Sequence, residues 1–306
     1  MWKKLIVLHF IGRLLNRCHR REYSVIGVYL DSKHVSWCQL NSKGVIEATG
    51  RASYNADDFD TLSDIYRRKI FKKRALIYIS VSSELNPYFV MRFDNIPSKK
   101  IDREKYVRWR LKAELGVGLV DVSGDVALIQ KPLPIYGDKN FIAVSWLKSE
   151  VGLFAVKAES RHLFIEQLSP FGWVIEEMAI SVCTTVNKTF IYVLLADDAW
   201  HYSLIINGQS YFYRSHVWGR DLEKSVAFVE EGVRELAQSF NLKVDGGGVV
   251  GHVFKEEFRN VSPHRVGMLN SLQLPDDIVG QDFTESDVHV NLCSYLTARI
   301  AGTGYG

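Results

Sequence analysis

From Tyr23 to Ile46 the apolar and polar positions follow a scheme that recurs later in the chain. An apolar run (Val25, Ile26, Val28, Leu30) stops at Asp31-Ser32-Lys33. An alternating run comes next (Val35, Trp37, Leu40), and Asn41-Ser42-Lys43-Gly44 breaks it again. Alternation bounded by Asp, Ser, Asn and Gly predicts strand, turn, strand, turn, strand. Thr189 to Tyr213 repeats this: a turn at Asp197-Asp198-Ala199, an alternating strand from Tyr202 to Ile206, and a turn at Asn207-Gly208. Turn chemistry alone makes unrelated meanders look alike, because all turns draw on the same few residues. The balance is tipped by the residues after each copy, which read as a helix-like segment and then a further strand. A unit used twice predicts a two-lobed α/β protein with a crevice between the lobes.

Between the copies, Asn55 to Phe71 has helical spacing (Phe59, Leu62, Ile65, Tyr66) and ends in the cations of Arg67 to Arg74, which suit the negative end of a helix dipole. Ala75 to Glu84 is apolar enough for a central strand, and Tyr88 to Phe93 predicts another. A helix is expected over Lys99 to Gly116, with Ile101, Tyr106 (or Val107), Trp109, Leu111 and Leu115 as its apolar side and a basic polar side. Strands are expected at Asp125 to Pro132 and Phe141 to Leu147. Val151 to Leu168 reads as a helix ended by Ser169-Pro170-Phe171-Gly172. Trp173 to Ile175 then reads as a short strand, and Ala179 to Asn187 as a short helix. After the second meander, Asp221 to Asn241 is amphipathic, Gly246-Gly247-Gly248 reads as a loop before a short strand at Val249 to Gly251, and Val288 to Ala301 closes the chain as a helix.

Composition changes this picture little. The 306 residues are 47% hydrophobic and 24% charged, as in ordinary globular proteins, and leave room for two domains. The net charge of +3 is too small to argue for nucleic acid, even with Arg67 to Arg74 and Lys99 to Lys112 mixing basic and aromatic residues. Four scattered cysteines (Cys18, Cys38, Cys183, Cys293) show no metal or redox spacing, and the histidines form no metal-binding pattern; buried thiols are the plain reading.

Residues 1–21 are different, being basic without a single acid. Helical spacing puts Trp2, Leu5, Ile6, Ile11, Leu14, Leu15 and Cys18 near one face, with Lys3, Lys4, Arg13, Arg17 and Arg20 mostly outside it. The apolar run is too short to span a bilayer, and basic residues stand where a signal peptide needs small ones for cleavage. An amphipathic helix lying on an anionic membrane surface through Trp2, Lys3, Lys4, Leu5, Phe10, Arg13 and Arg17 competes with a helix docked on its own protein.

The segments taken in order resemble a family. IGVYLDSKHVSWCQL resembles the first phosphate loop of actin-like proteins, in particular PilM-type proteins of type IV pilus assembly, with MshI-type pilus proteins and the cytoplasmic part of GspL-type secretion proteins as relatives. IPSKKIDREKYVRWRLKAEL is similar to their inserted-subdomain helix, SPFGWVIEEMAISV to the passage before the second lobe, and VRELAQSFNL to the long second-lobe helix. The resemblance covers most of residues 23–302. It implies an α/β, two-lobed actin-like (ribonuclease H-like duplicated) fold with an inserted small α/β subdomain. The expected divisions are a leader at 1–21, a first lobe at 22–183 containing the insertion at about 85–147, and a second lobe at 184–306 whose last helix returns to the first.

Departures from the family's loops are as informative. Nucleotide-binding members place an acid and a Gly in the first loop, where this chain has Tyr29 and Asp31 and keeps only Ser32. The second loop, Ala196-Asp197-Asp198-Ala199-Trp200, has no Gly, and Gly251 alone answers the adenosine-side Gly pair. Glycine lets backbone amides approach a phosphate; Asp31 offers it a repelling charge. Asp31, Ser32, Asp197, Asp198 and Gly251 are therefore candidates for a degenerate nucleotide site. The resemblance implies a non-enzymatic cytoplasmic scaffold, peripheral on the inner membrane, with no cofactor and no metal. Its partners would be the cytoplasmic tail of a bitopic PilN-like protein, lodged near residues 85–147, and a secretion motor ATPase. An ATP-binding actin-like ATPase is the competing reading, and the acids of these loops are what it would use.

Overall fold

The computed structural model describes residues 24–53, 75–115, 127–133, 139–147, 165–182, 189–195, 199–217, 246–251, 269–271 and 292–303, with isolated positions 231 and 238. In chain order the first elements are β1 (Ser24–Leu30), β2 (His34–Leu40), β3 (Ile46–Ser53), β4 (Ala75–Val81), β5 (Tyr88–Phe93) and α1 (Lys100–Leu115). Next come β6 (Ala127–Pro132), β7 (Asn140–Leu147), β8 (Ile165–Pro170), α2 (Phe171–Val182), β9 (Thr189–Leu195), β10 (Ala199–Ile206) and β11 (Gln209–Val217). The last are β12 (Gly246–Gly251), β13 (Leu269–Ser271) and α3 (Leu292–Thr303). Contacts divide the chain into one unit of Met1–Val81, Phe154–Ser169 and Leu274–Gly306, and another of Ser82–Leu153 and Pro170–Gln273.

In the first unit, β1, β2 and β3 form the expected antiparallel meander, and β4 runs parallel to β1, giving the sheet order β3-β2-β1-β4-β8. Register sorts its side chains. Ile26, Val28 and Leu30 stand beside Ile77, Ile79 and Val81 of β4, and beside Trp37 and Val35 of β2, so one face carries a buried aliphatic layer. The other face carries Gly27, Cys38 and Ser80, and α3 lies against it. A Cβ at Gly27 would sit 2.2 Å from both Ala298 N and Ser294 O, so only glycine lets the helix come this close.

The second unit repeats the plan in the order β11-β10-β9-β12-β13. A meander of β9, β10 and β11 has β12 parallel to its first strand. Its hairpin turns at Asn207 and Gly208, with φ of 52° and 73°, the left-handed pair that matches the twist of a two-residue hairpin. Within this unit β5, β7 and β6 make a separate three-stranded sheet, and α1 closes its core with Val107 and Leu111 against Met91, Phe93, Ile142 and Val144. Phe141 meets Tyr211 edge-on at 5.0 Å, and Arg214 lies over Phe89 at 5.3 Å. These contacts to β11 lie within the second unit, which contains Ser82–Leu153.

Several local expectations are corrected. The helix expected to run to Leu168 gives way to β8 from Ile165, where pairing beside β4 overrides local periodicity. Phe171 to Val182 is one helix, replacing both the short strand at Trp173 to Ile175 and the start expected at Ala179. Gly246-Gly247-Gly248 belongs to β12, paired with β9 on one side and β13 on the other. Backbone bonds on both edges offset the conformational freedom those glycines lose. On α1, Ile101 and Trp109 face outward, while Val107 and Leu111 form the inner side. The N-terminal segment 1–21 and the helix expected at Asn55 to Phe71 lie outside the described residues, as does nearly all of Asp221 to Asn241.

Candidate functional site

The turn between β1 and β2 holds the first candidate residues. Asp31 is buried, at 8% exposure, and its side chain turns back on its own loop. Its Oδ1 accepts from the backbone N–H of Lys33 at 2.6 Å and of His34 at 2.5 Å, while its own N–H donates to the His34 carbonyl at 3.0 Å. The His34 Nδ1 lies 3.6 Å from Oδ2. Successive amides aimed at one point make an anion cradle. In this loop the anion is the carboxylate of Asp31 itself.

The hairpin between β2 and β3 supplies an internal standard. Asn41 Oδ1 accepts from Lys43 N at 2.9 Å and Val45 N at 3.0 Å, and Gly44 N donates to the Asn41 carbonyl at 2.9 Å. This is the same side-chain-closed turn, made by a neutral amide in an exposed loop. Asp31 thus performs a turn-closing role shared with Asn41, with a charge added. Ser32 is exposed at the tip of its turn, and Gly251 ends β12 beside Leu195. Asp197 and Asp198 lie outside the described residues, as do Trp2, Lys3, Lys4, Leu5, Phe10, Arg13 and Arg17. Among the described residues, no group of three or more His, Cys, Asp or Glu is placed to hold a metal ion, and no helix is long and apolar enough to cross a membrane.

Within the second unit the structure assembles a buried polar network that sequence reasoning missed. Glu176 of α2 accepts from the Tyr88 hydroxyl through one carboxylate oxygen and from Ser210 through the other. The Tyr213 hydroxyl lies 2.8 Å from His201 Nδ1, and its ring meets Tyr88 edge-on at 5.1 Å. Tyr88, Glu176, His201, Ser210 and Tyr213 are all buried. Burial, with the negative charge of Glu176 adding to it, pushes the Tyr88 hydroxyl well above the usual phenol range and keeps it a donor. Gly172 makes room for both rings: a Cβ there would stand 2.4 Å from Tyr88 and 2.9 Å from Tyr213. The arrangement ties β5, β10 and β11 to α2. A glutamate inside the apolar run FGWVIEEMAI was the available signal.

No protein-family profile matches the chain, and no curated protein matches it by sequence. Solved structures do match by shape. A PilM-PilN type IV pilus biogenesis complex superposes with a TM-score of 0.62 at 12% identity, covering 92% of this chain and 98% of that one. A Bacteroides thetaiotaomicron protein of unknown function with an actin-like ATPase fold gives 0.56 at 9% identity, covering 91% and 97%. The fold is therefore actin-like, as the repeated meander and the family resemblance both anticipated.

Proposed function

We propose that this chain is a non-enzymatic scaffold of a pilus or secretion platform, whose nucleotide loop has been turned to structural use. The observation that carries this reading is the Asp31 carboxylate seated on the amides of Lys33 and His34. A phosphate approaching that loop meets a negative charge already holding the donors. The likeness to a PilM-PilN complex supports a role in joining other proteins. By that likeness the partner is the cytoplasmic tail of a bitopic PilN-like protein, bound as an extended peptide near residues 85–147, with a secretion motor ATPase as the second partner. The basic N-terminal segment would hold the scaffold against the inner membrane from the cytoplasm.

Thermal unfolding with and without millimolar Mg-ATP tests the loop. No change in Tm is expected; a rise of several degrees overturns the scaffold reading in favour of an ATP-binding actin-like ATPase. Pull-down with synthetic PilN-like tails tests the partner, and flotation of residues 1–306 against 22–306 on anionic vesicles tests the leader. Equal flotation removes the membrane role.

A further inference from the structure

Two large apolar side chains stand exposed on one helix: Ile101 is 69% exposed and Trp109 is 60% exposed, both on α1. Eight residues of helix separate them by roughly 12 Å along the axis and about 80° around it. Lys105, also exposed, lies between them. The opposite side of α1 is anchored by Val107 and Leu111 in the small sheet's core, so this outer face is held in a fixed frame. Trp109 is braced too, its ring stacked on Tyr106 at 5.8 Å with 17° between the planes.

The surrounding charge has a sign. Lys99, Lys100 and Lys105 are exposed, and of the acids among the described residues in the first two turns of α1, Glu104 is paired with Arg108 at 3.1 Å, which leaves Asp102. Over its length α1 carries six basic and three acidic side chains. A solvated basic face needs no indole. A braced tryptophan on a helix with exposed lysines is the makeup of an interface anchor, where aromatic residues carry binding and rim charges choose the partner.

We propose that the outer face of α1 docks a partner protein presenting an acidic segment with apolar contacts for Trp109 and Ile101. α1 lies inside residues 85–147, where the scaffold reading seats a PilN-like tail, but docking here needs only the exposed side chains of the helix and not that tail. Two apolar side chains about 12 Å apart, with Asp102 beside them, make too small a stripe for lipid, which rewards a continuous apolar face. A second copy fits poorly, since a two-fold contact would set like charges against each other.

The test selects 16-residue peptides from a random displayed library on the intact chain. The expected result is enrichment of acidic sequences with aromatic or aliphatic residues. Their binding should weaken at least tenfold with Trp109→Ala and with Lys105→Glu, and stay unchanged with Lys43→Ala. Failure to enrich, or binding indifferent to both α1 substitutions, overturns the proposal. Flotation on phosphatidylglycerol vesicles that disappears with Trp109→Ala assigns the face to lipid and also overturns it. So does a dimer in sedimentation that requires Trp109.

Discussion

Ser80 and Thr297 meet hydroxyl to hydroxyl at 2.6 Å, closed to solvent and 217 positions apart in the chain. Their neighbours assign the protons. Thr297 Oγ1 donates to the Cys293 carbonyl at 2.8 Å, so Ser80 is the donor between the two. Thr297→Val strands the Ser80 hydroxyl, whose next acceptor, the Val28 carbonyl, is 3.5 Å away. Ser80→Ala merely leaves an acceptor on Thr297. Urea unfolding should show about 1–3 kcal/mol lost in Thr297→Val and a smaller loss in Ser80→Ala. The double variant should lose less than the two added together.

Gly27→Ala places a methyl group 2.2 Å from backbone atoms of α3, which have no flexible end to swing aside. The helix must lift off the sheet. A loss of about 3 kcal/mol or more is expected, at the upper end of overpacking effects. Gly44→Ala meets no neighbour, although its φ of 81° strains any side chain, and it should lose only about 1 kcal/mol. Equal melting temperatures for the two variants would contradict the close approach.

The Glu176 network predicts a pH signature. Tyr88 has its folded pKa raised above the ordinary value of 10.0, so the neutral form is what the fold holds. Its contribution is whole below that value and is lost as pH rises above it toward the folded pKa. Tyr88→Phe should lose about 1.5–3 kcal/mol at pH 7, the range for a hydrogen bond to a charged group. Above pH 10 the gap between variant and parent should narrow. A gap constant from pH 7 to 11 would exclude this linkage.

Cys38 and Cys293 are buried and in no disulfide, and burial pushes Cys38 up to about 12. The thiolate is the reactive form, so alkylation at pH 8 should be slower on the order of a hundredfold or more than in the unfolded chain. Peptide-level mass spectrometry after iodoacetamide treatment reads this directly. Rapid native labelling of Cys38 would mean that β2 is not covered as described.

Both meanders were legible because Asp31, Asn41 and Asn207-Gly208 are turns made by local chemistry, which a sequence carries without its partners. α2 was not. Its residues from Phe171 to Ala179 are buried or half-buried on every side, so no apolar stripe marks a helical period, and Gly172 reads as a breaker until Tyr88 and Tyr213 are seen to need its space. β12 was legible only from Val249 to Gly251, because the three glycines before it say loop and only pairing with β9 and β13 says strand. The candidate loop fell between these cases. That Asp31 brings a carboxylate to the loop could be read in advance; that it captures its own loop's amides is geometry. On α1 the apolar residues were identified, but which of them turn inward depended on the small sheet behind them.

The meeting of Ser80 with Thr297 sets a timetable for biosynthesis. At about 5–20 residues per second, the ribosome needs roughly 10–40 s to travel the 217 positions between them. Throughout that interval the sheet face around Gly27 waits for α3 to cover it. Holding chaperones have their natural window there, and slowing or truncating elongation late in the message should produce aggregates rather than a half-working product.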